Sequence, residues 1–137
     1  MDVLFLDANV LFSAAYSARS GLRRLWALPD VELVTSTYAV EEARRNLEPG
    51  PRRRRLDRLL RRVRVVGEAP PPWTAGAGRL PEKDRPILAA AMAVRATHLL
   101  TGDVTHFGPF LGQEVGGVRV LTPGEYLARR ARITRER

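Results

Sequence analysis

The chain contains no cysteine in 137 residues, which excludes disulfides, thiolate zinc sites and thiol nucleophiles together. Lysine is almost as scarce, Lys83 being the only one among 23 basic residues. No apolar run approaches the roughly 20 residues of a membrane span. The start, Met1-Asp2-Val3, lacks the basic n-region of a signal peptide. No Gly-rich loop ends in Gly-Lys-Ser/Thr, so P-loop nucleotide chemistry is excluded. Neither a repeat nor a low-complexity tract interrupts the chain. These absences predict a cytoplasmic protein with no membrane attachment.

What is present fits one globular domain spanning residues 1–137. Apolar residues make up 45%, enough for a real core at this length. The formal net charge is +8 and the pI near 11.2. An excess of positive charge carried by arginine points to a polyanionic partner, most simply a nucleic acid. High genomic GC content and life at high temperature also enrich Arg, Pro, Ala and Leu, so composition alone does not name a ligand.

Strand-like and helix-like segments alternate. Val3–Asp7 is an apolar run ending in turn-favouring residues, as a buried parallel strand does. Asn9 to Tyr16 suits a short helix. Leu22, Leu25, Trp26 and Leu28 share one helix face, stopped by Pro29-Asp30. Val31–Ser36 is a second strand, and Ser36 or Thr37 can cap a helix over Tyr38 to Leu47. Arg52 to Arg62 forms a basic helix with Leu56, Leu59 and Leu60 inward, and Val63–Val66 a third strand. Pro70-Pro71-Pro72 through Gly78 is a loop. A helix starts at Pro81-Glu82-Lys83 and carries Ile87, Leu88 and Ala91 on its apolar face. His98–Thr101 and Gly117–Leu121 are further strands, and Thr122 caps a last helix over Gly124 to Arg132. The pattern predicts a three-layer α/β/α sandwich around a central, mostly parallel sheet of about five strands.

Against the basic background, four acids fall where strands pass into helices. Asp7 ends the first strand and Asn9 can hold it or a water. Glu41 and Glu42 follow the second strand, and only one of the adjacent pair can face the site. Asp84 opens the helix whose Ala89-Ala90-Ala91 run lets it pack close to the sheet. Asp103 closes Leu100-Thr101-Gly102, where Thr101 offers a hydroxyl and Gly102 a close backbone approach. Each acid alone is explained by helix capping or the helix dipole. Together they converge on the carboxyl edge of one sheet, where open α/β folds bind ligands. Crowded carboxylates repel one another, and a hard divalent cation relieves that repulsion.

With Leu6-Asp7-Ala8-Asn9-Val10-Leu11, Val40-Glu41-Glu42-Ala43, Asp84-Arg85-Pro86-Ile87-Leu88-Ala89-Ala90-Ala91 and Leu100-Thr101-Gly102-Asp103, the chain resembles the PIN-domain ribonucleases nearly end to end. It is most similar to the VapC-like toxins of toxin–antitoxin pairs. The resemblance implies an endoribonuclease dependent on Mg²⁺ or Mn²⁺. Asp7, Glu42 (rather than Glu41), Asp84 and Asp103 would be its catalytic and metal-holding carboxylates, with Asn9 and Thr101 as supporting polar residues. It implies RNA as substrate and a cognate antitoxin protein as partner, with a homodimer as the open oligomeric option. Where some members carry another acid just after the last Asp, this chain has Val104-Thr105-His106.

Ten arginines lie between Arg44 and Arg64, and Arg53, Arg54 and Arg58 are the candidate RNA contacts. A solvated helix face or an antitoxin surface would also account for them. Trp73 could stack a base or cover the sheet edge; Trp26 reads as core, His98 as structural and His106 as a solvated loop residue within reach of a phosphate. Two other functions remain to be separated: a non-catalytic RNA- or partner-binding module with a vestigial acidic site, and an Asp-based phosphohydrolase. The second needs another Asp two residues after the first and a placed Lys, whereas this chain has Asn9 and only Lys83.

Overall fold

The computed structural model describes residues 1–67 and 85–136. Its core is a six-stranded sheet of β1 (Asp2–Leu6), β2 (Val31–Ser36), β3 (Arg64–Val66), β4 (His98–Leu100), β5 (Glu114–Val115) and β6 (Val118–Leu121). The strand order is β3-β2-β1-β4-β6-β5. All pairings are parallel except that of β5 with β6. Helices α1 (Ala8–Tyr16), α2 (Thr37–Asn46), α3 (Pro51–Leu60), α4 (Arg85–Ala93) and α5 (Pro123–Glu136) complete the α/β architecture.

β1 is central, between β2 and β4, and its Leu4, Phe5 and Leu6 are fully buried. A parallel strand covered on both faces has no solvent side to alternate toward, which is why this run is continuously apolar. Alternation is absent from Leu99-Leu100 and Val120-Leu121 for the same reason. Successive strands β1, β2 and β3 step outward on one side, then the chain returns to the other side of β1 for β4. The reversal between β1 and β4 is the topological switch point, where the carboxyl ends of neighbouring strands open a crevice. Two backbone bonds hold the ends level there: Asp7 N–H donates to the Leu100 carbonyl at 3.1 Å and Thr101 N–H to that of Leu121 at 3.0 Å.

Three local features differ from the sequence reading. The sheet gains a sixth strand, because Gly116 and Gly117 both take positive φ (58° and 83°) and turn β5 back on β6 in a two-residue hairpin. A Cβ on Gly116 would meet the flexible end of Met92, its Cε at 2.6 Å, so the positive φ more than the space is what favours glycine there. The segment Gly21–Ala27 is a 3-10 helix capped by Ser20, with Leu25 alone fully buried. Leu28 is already extended, and Pro29 follows it. Trp26 is partly buried against the core rather than inside it, and its Nε1–H donates to the Leu59 carbonyl at 3.0 Å. No helix among the described residues is long and apolar enough to cross a membrane.

Candidate active site

Asp7 follows directly on β1 and is the N-cap of α1. Its Oδ1 accepts from Ala8 N–H at 2.7 Å, while Oδ2 accepts from the Thr101 hydroxyl at 2.7 Å and from the Asn9 amide at 3.3 Å. Only 5% of Asp7 is exposed and none of Thr101. The Thr101 hydroxyl thus gives its proton to Asp7 instead of pointing at a ligand, and its oxygen accepts from Asp103 N–H at 3.0 Å. Asn9 reaches the same strand end through its amide oxygen, which accepts from Gly102 N–H at 2.7 Å. A Cβ on Gly102 would meet that oxygen at 3.4 Å, an ordinary contact, so glycine is not sterically demanded there.

Asp103 stands just beyond β4 on a tight turn. Its Oδ1 accepts from His106 N–H at 3.0 Å and its Oδ2 lies 2.7 Å from His106 Nδ1. That second contact is a hydrogen bond when the imidazole carries its proton on Nδ1. His106 is therefore the residue whose place sequence reasoning missed. It is neither a simply solvated loop residue nor a detached phosphate contact, since it clasps the strand-end aspartate. The spacing Asp103-Val104-Thr105-His106 was the available signal, because a turn of that length brings side chains three apart together.

Glu42 enters from the other wall. It lies in the second turn of α2, so the helix dipole, which acts within the first turn, does not explain its position. Glu42 is half-buried, while its neighbour Glu41 is exposed. The Glu42 carboxylate has no hydrogen bond or ion pair among the described residues, and Asn46 donates to its backbone carbonyl at 2.9 Å. Asp7, Asn9, Glu42 and Asp103 line one cleft of about 360 Å³ with Phe12 and Asn46. The structure thus brings three of the four predicted acids to one opening. Asp84 lies outside the described residues, as do Trp73 and Lys83. Among the described residues no three His, Asp or Glu side chains approach closely enough to hold a metal ion by themselves.

The arginine candidates lie elsewhere. Among the described residues lining the cleft, none is an arginine. Arg53 Nε donates to the Leu47 carbonyl at 2.9 Å, at the C-terminal end of α2. Arg52 and Arg55 donate to the Tyr16 and Ala15 carbonyls at 3.0 and 2.7 Å, at the C-terminal end of α1. Arg52 also stacks 3.7 Å over the Tyr16 ring. Arg54 and Arg58 are exposed.

His98 has the structural place expected of it. Its Nδ1 lies 2.9 Å from the Thr97 hydroxyl and its ring meets Tyr126 edge-on at 5.0 Å. Tyr126 in turn donates its phenolic proton to Asp2 at 2.6 Å. Burial, with the Asp2 carboxylate beside it, pushes the Tyr126 phenol up to about 12.

No curated protein matches the sequence. Solved structures share the fold, among them the following two. VapBC2 from Rickettsia felis, determined with a DNA fragment from its promoter, matches with a TM-score of 0.63 at 15% identity, over 88% of this chain and 98% of that one. VapBC-1 from nontypeable Haemophilus influenzae matches with a TM-score of 0.59 at 17% identity, over 89% and 98%. The family model for the PIN domain matches residues 3–105, from the first residues of β1 through the turn that carries Asp103. With its acids gathered at the β1/β4 switch point and this match over most of its length, the chain belongs to the PIN-domain family.

Proposed function

We propose that the protein is a divalent-metal-dependent endoribonuclease, the toxin of a toxin–antitoxin pair, working in the cytoplasm with RNA as substrate and an antitoxin protein as partner. One observation carries the reading: Asp7, Glu42 and Asp103 open on a single cleft at the switch point of the sheet. PIN domains generally use divalent metal ions, and the donors here fit one by their chemistry. They are carboxylates in a chain without thiolates, the ligand set of a hard cation such as Mg²⁺ or Mn²⁺. Asp7, Glu42 and Asp103 do not reach a common ion by themselves, and would hold it together with Asp84, the fourth carboxylate read from the sequence. When bound, such a cation supplies positive charge against a scissile phosphodiester and makes water more acidic.

The chain's own residues do the rest. Thr101 and Asn9 fix the direction of the Asp7 carboxylate, and His106 fixes that of Asp103. Such outer partners keep a ligand from swinging away, and losing one costs about 10–100-fold in metal affinity or activity. Glu42, with no hydrogen-bond partner of its own among the described residues, has a carboxylate available to a cation or to a water. Phe12 and Asn46 shape the remaining wall, apolar on one side and amide-bearing on the other. The vestigial-site alternative predicts RNA binding without cleavage.

Cleavage of single-stranded RNA with Mn²⁺, in chelator, and by Asp7→Asn and Asp103→Asn tests the reading. Cleavage should stop in chelator and return with excess metal, and each variant should lose more than about a hundredfold in rate. Titration calorimetry should show weaker Mn²⁺ binding by both variants. Cleavage that persists in chelator would overturn the proposal.

A further inference from the structure

A second charged site lies at the opposite edge of the sheet. Arg55 and Arg58 stand one turn apart on α3, and Arg62 continues their face in the turn before β3. Arg23 faces them from the 3-10 helix, with Trp26 and Leu59 between. These residues line one groove of about 340 Å³, and no acidic residue among the described ones lines it. Arg23 and Arg55 each spend one guanidinium nitrogen on a carbonyl, of Ala18 at 3.1 Å and of Ala15 at 2.7 Å. The Arg58 and Arg62 side chains are exposed and have no hydrogen bond or ion pair among the described residues. The nearby Asp57 is already engaged by Arg44 at 2.5 Å. Four like charges around one groove repel. Since none of the described residues lining it answers them, an anion from outside would relieve that cost.

Trp26 precedes β2 and Arg62 precedes β3, so this groove sits where the parallel strands begin, whereas Asp7 and Asp103 follow strands that end. The six residues of β2 set the two edges about 20 Å apart, at roughly 3.3 Å per residue. We infer that the groove binds the phosphate backbone of a single nucleic-acid strand, at a site distinct from the carboxylate cleft. A protein segment would seek an apolar or aromatic anchor at the centre of its contact. The large apolar residues exposed among the described ones are Met1, Tyr16, Val65, Val104 and Ile133, and none of them lines the groove. Trp26 is tied down by its bond to Leu59. What the groove offers is charge in planar forks, which suits phosphate oxygens and gains from counterion release. That the strand is RNA rests on the nuclease reading; the binding does not.

The test is fluorescence anisotropy of a labelled single strand of RNA, with the full chain in excess chelator, across a salt series. Arg58→Gln with Arg62→Gln should weaken binding by about tenfold at low salt and flatten the logarithmic salt slope by about 1.4, at about 0.7 per phosphate. Thermal melting should not fall, because neither side chain has a partner to lose among the described residues and two of the four repelling charges are gone. The matched control, Arg54→Gln with Arg61→Gln, removes the same charge outside the groove and should do much less. Equal effects of the two pairs, or an unaltered slope, would overturn the proposal. Displacement of the strand by polyglutamate at matched charge, or by inorganic phosphate at matched phosphate concentration, would overturn its ligand class. Failure of the nuclease reading shows separately, as absent cleavage with Mn²⁺ while this binding persists.

Discussion

The carboxylate cleft and the arginine-rich helix α3 satisfy their polar groups in opposite ways. In the cleft, side chains brace one another across the fold: Thr101 reaches Asp7, and Asn9 reaches Thr101 and Gly102, at separations of 92 to 94 positions along the chain. Asp7 and Thr101 are buried, and the bonds that Asp7 accepts fix where its carboxylate points. On α3, Arg52, Arg53 and Arg55 reach backbone carbonyls at the ends of α1 and α2. Helix C-termini leave carbonyls without partners and carry partial negative charge, so guanidinium groups are well placed there. Much of the positive charge along α3 therefore has structural work, and the count of arginines overstates the surface available to a ligand. Proximity in sequence concealed a division, with Arg53 bonded to the end of α2 while Arg58 has no partner among the described residues.

If the cleft is the braced region, its supports should be costly to remove. Thr101→Val keeps nearly the same shape, yet strips the 2.7 Å donor from Asp7 Oδ2 and the acceptor from Asp103 N–H. Leaving buried polar groups unmatched costs about 1–3 kcal/mol. Urea unfolding should show a loss in that range, and Mn²⁺ titration a fall of about 10–100-fold in affinity. A variant as stable as the parent would break the comparison. A weaker effect is expected on α3, where Arg53→Gln removes one half-exposed bond to the Leu47 carbonyl. The loss should be about 0.5–1.5 kcal/mol, with the salt dependence of RNA binding unmoved. A flattened salt slope would return Arg53 to the ligand-binding set.

The parts that were legible in the sequence are those where one residue has one local job. Val31–Ser36 could be bounded to the residue, because Pro29-Asp30 forces a turn before it and Ser36 caps α2, accepting from Ala39 N–H at 3.1 Å. Asp7 and Asp103 stood out because each follows a buried strand. Other features needed the third dimension. β5 has two residues, too few to show any period, although Gly116-Gly117 between valines carried the hairpin signal. Over less than two turns, Leu22, Leu25 and Leu28 fit a repeat of 3 as well as one of 3.6, which hid the 3-10 helix. The direction of the Thr101 hydroxyl depends on loop geometry that no spacing rule encodes, whereas the clasp of His106 on Asp103 left a faint signal in their spacing of three. The carbonyls that absorb Arg52, Arg53 and Arg55 were invisible because backbone acceptors leave no mark in a sequence.

The smallest effect expected probes the edge where the strands begin, at half-buried His98. His98 opens β4, and burial is the main reason its pKa falls below the ordinary value of 6.5. The Asp2 carboxylate opposes the shift, while Arg119 and Arg129 add to it. The folded imidazole resists a proton that the unfolded chain accepts near 6.5. Between that value and the lower folded one, the unfolded state binds more protons, so stability is intact above the window and falls as pH drops through it. Urea midpoints from about pH 7.5 to 5.5 should decline for the parent and decline less for His98→Gln. Added salt should shrink the difference only in part, because it screens the two arginines but not desolvation. Identical pH profiles for parent and variant would mean that the field of the basic edge, and the burial beneath it, do not reach the start of β4.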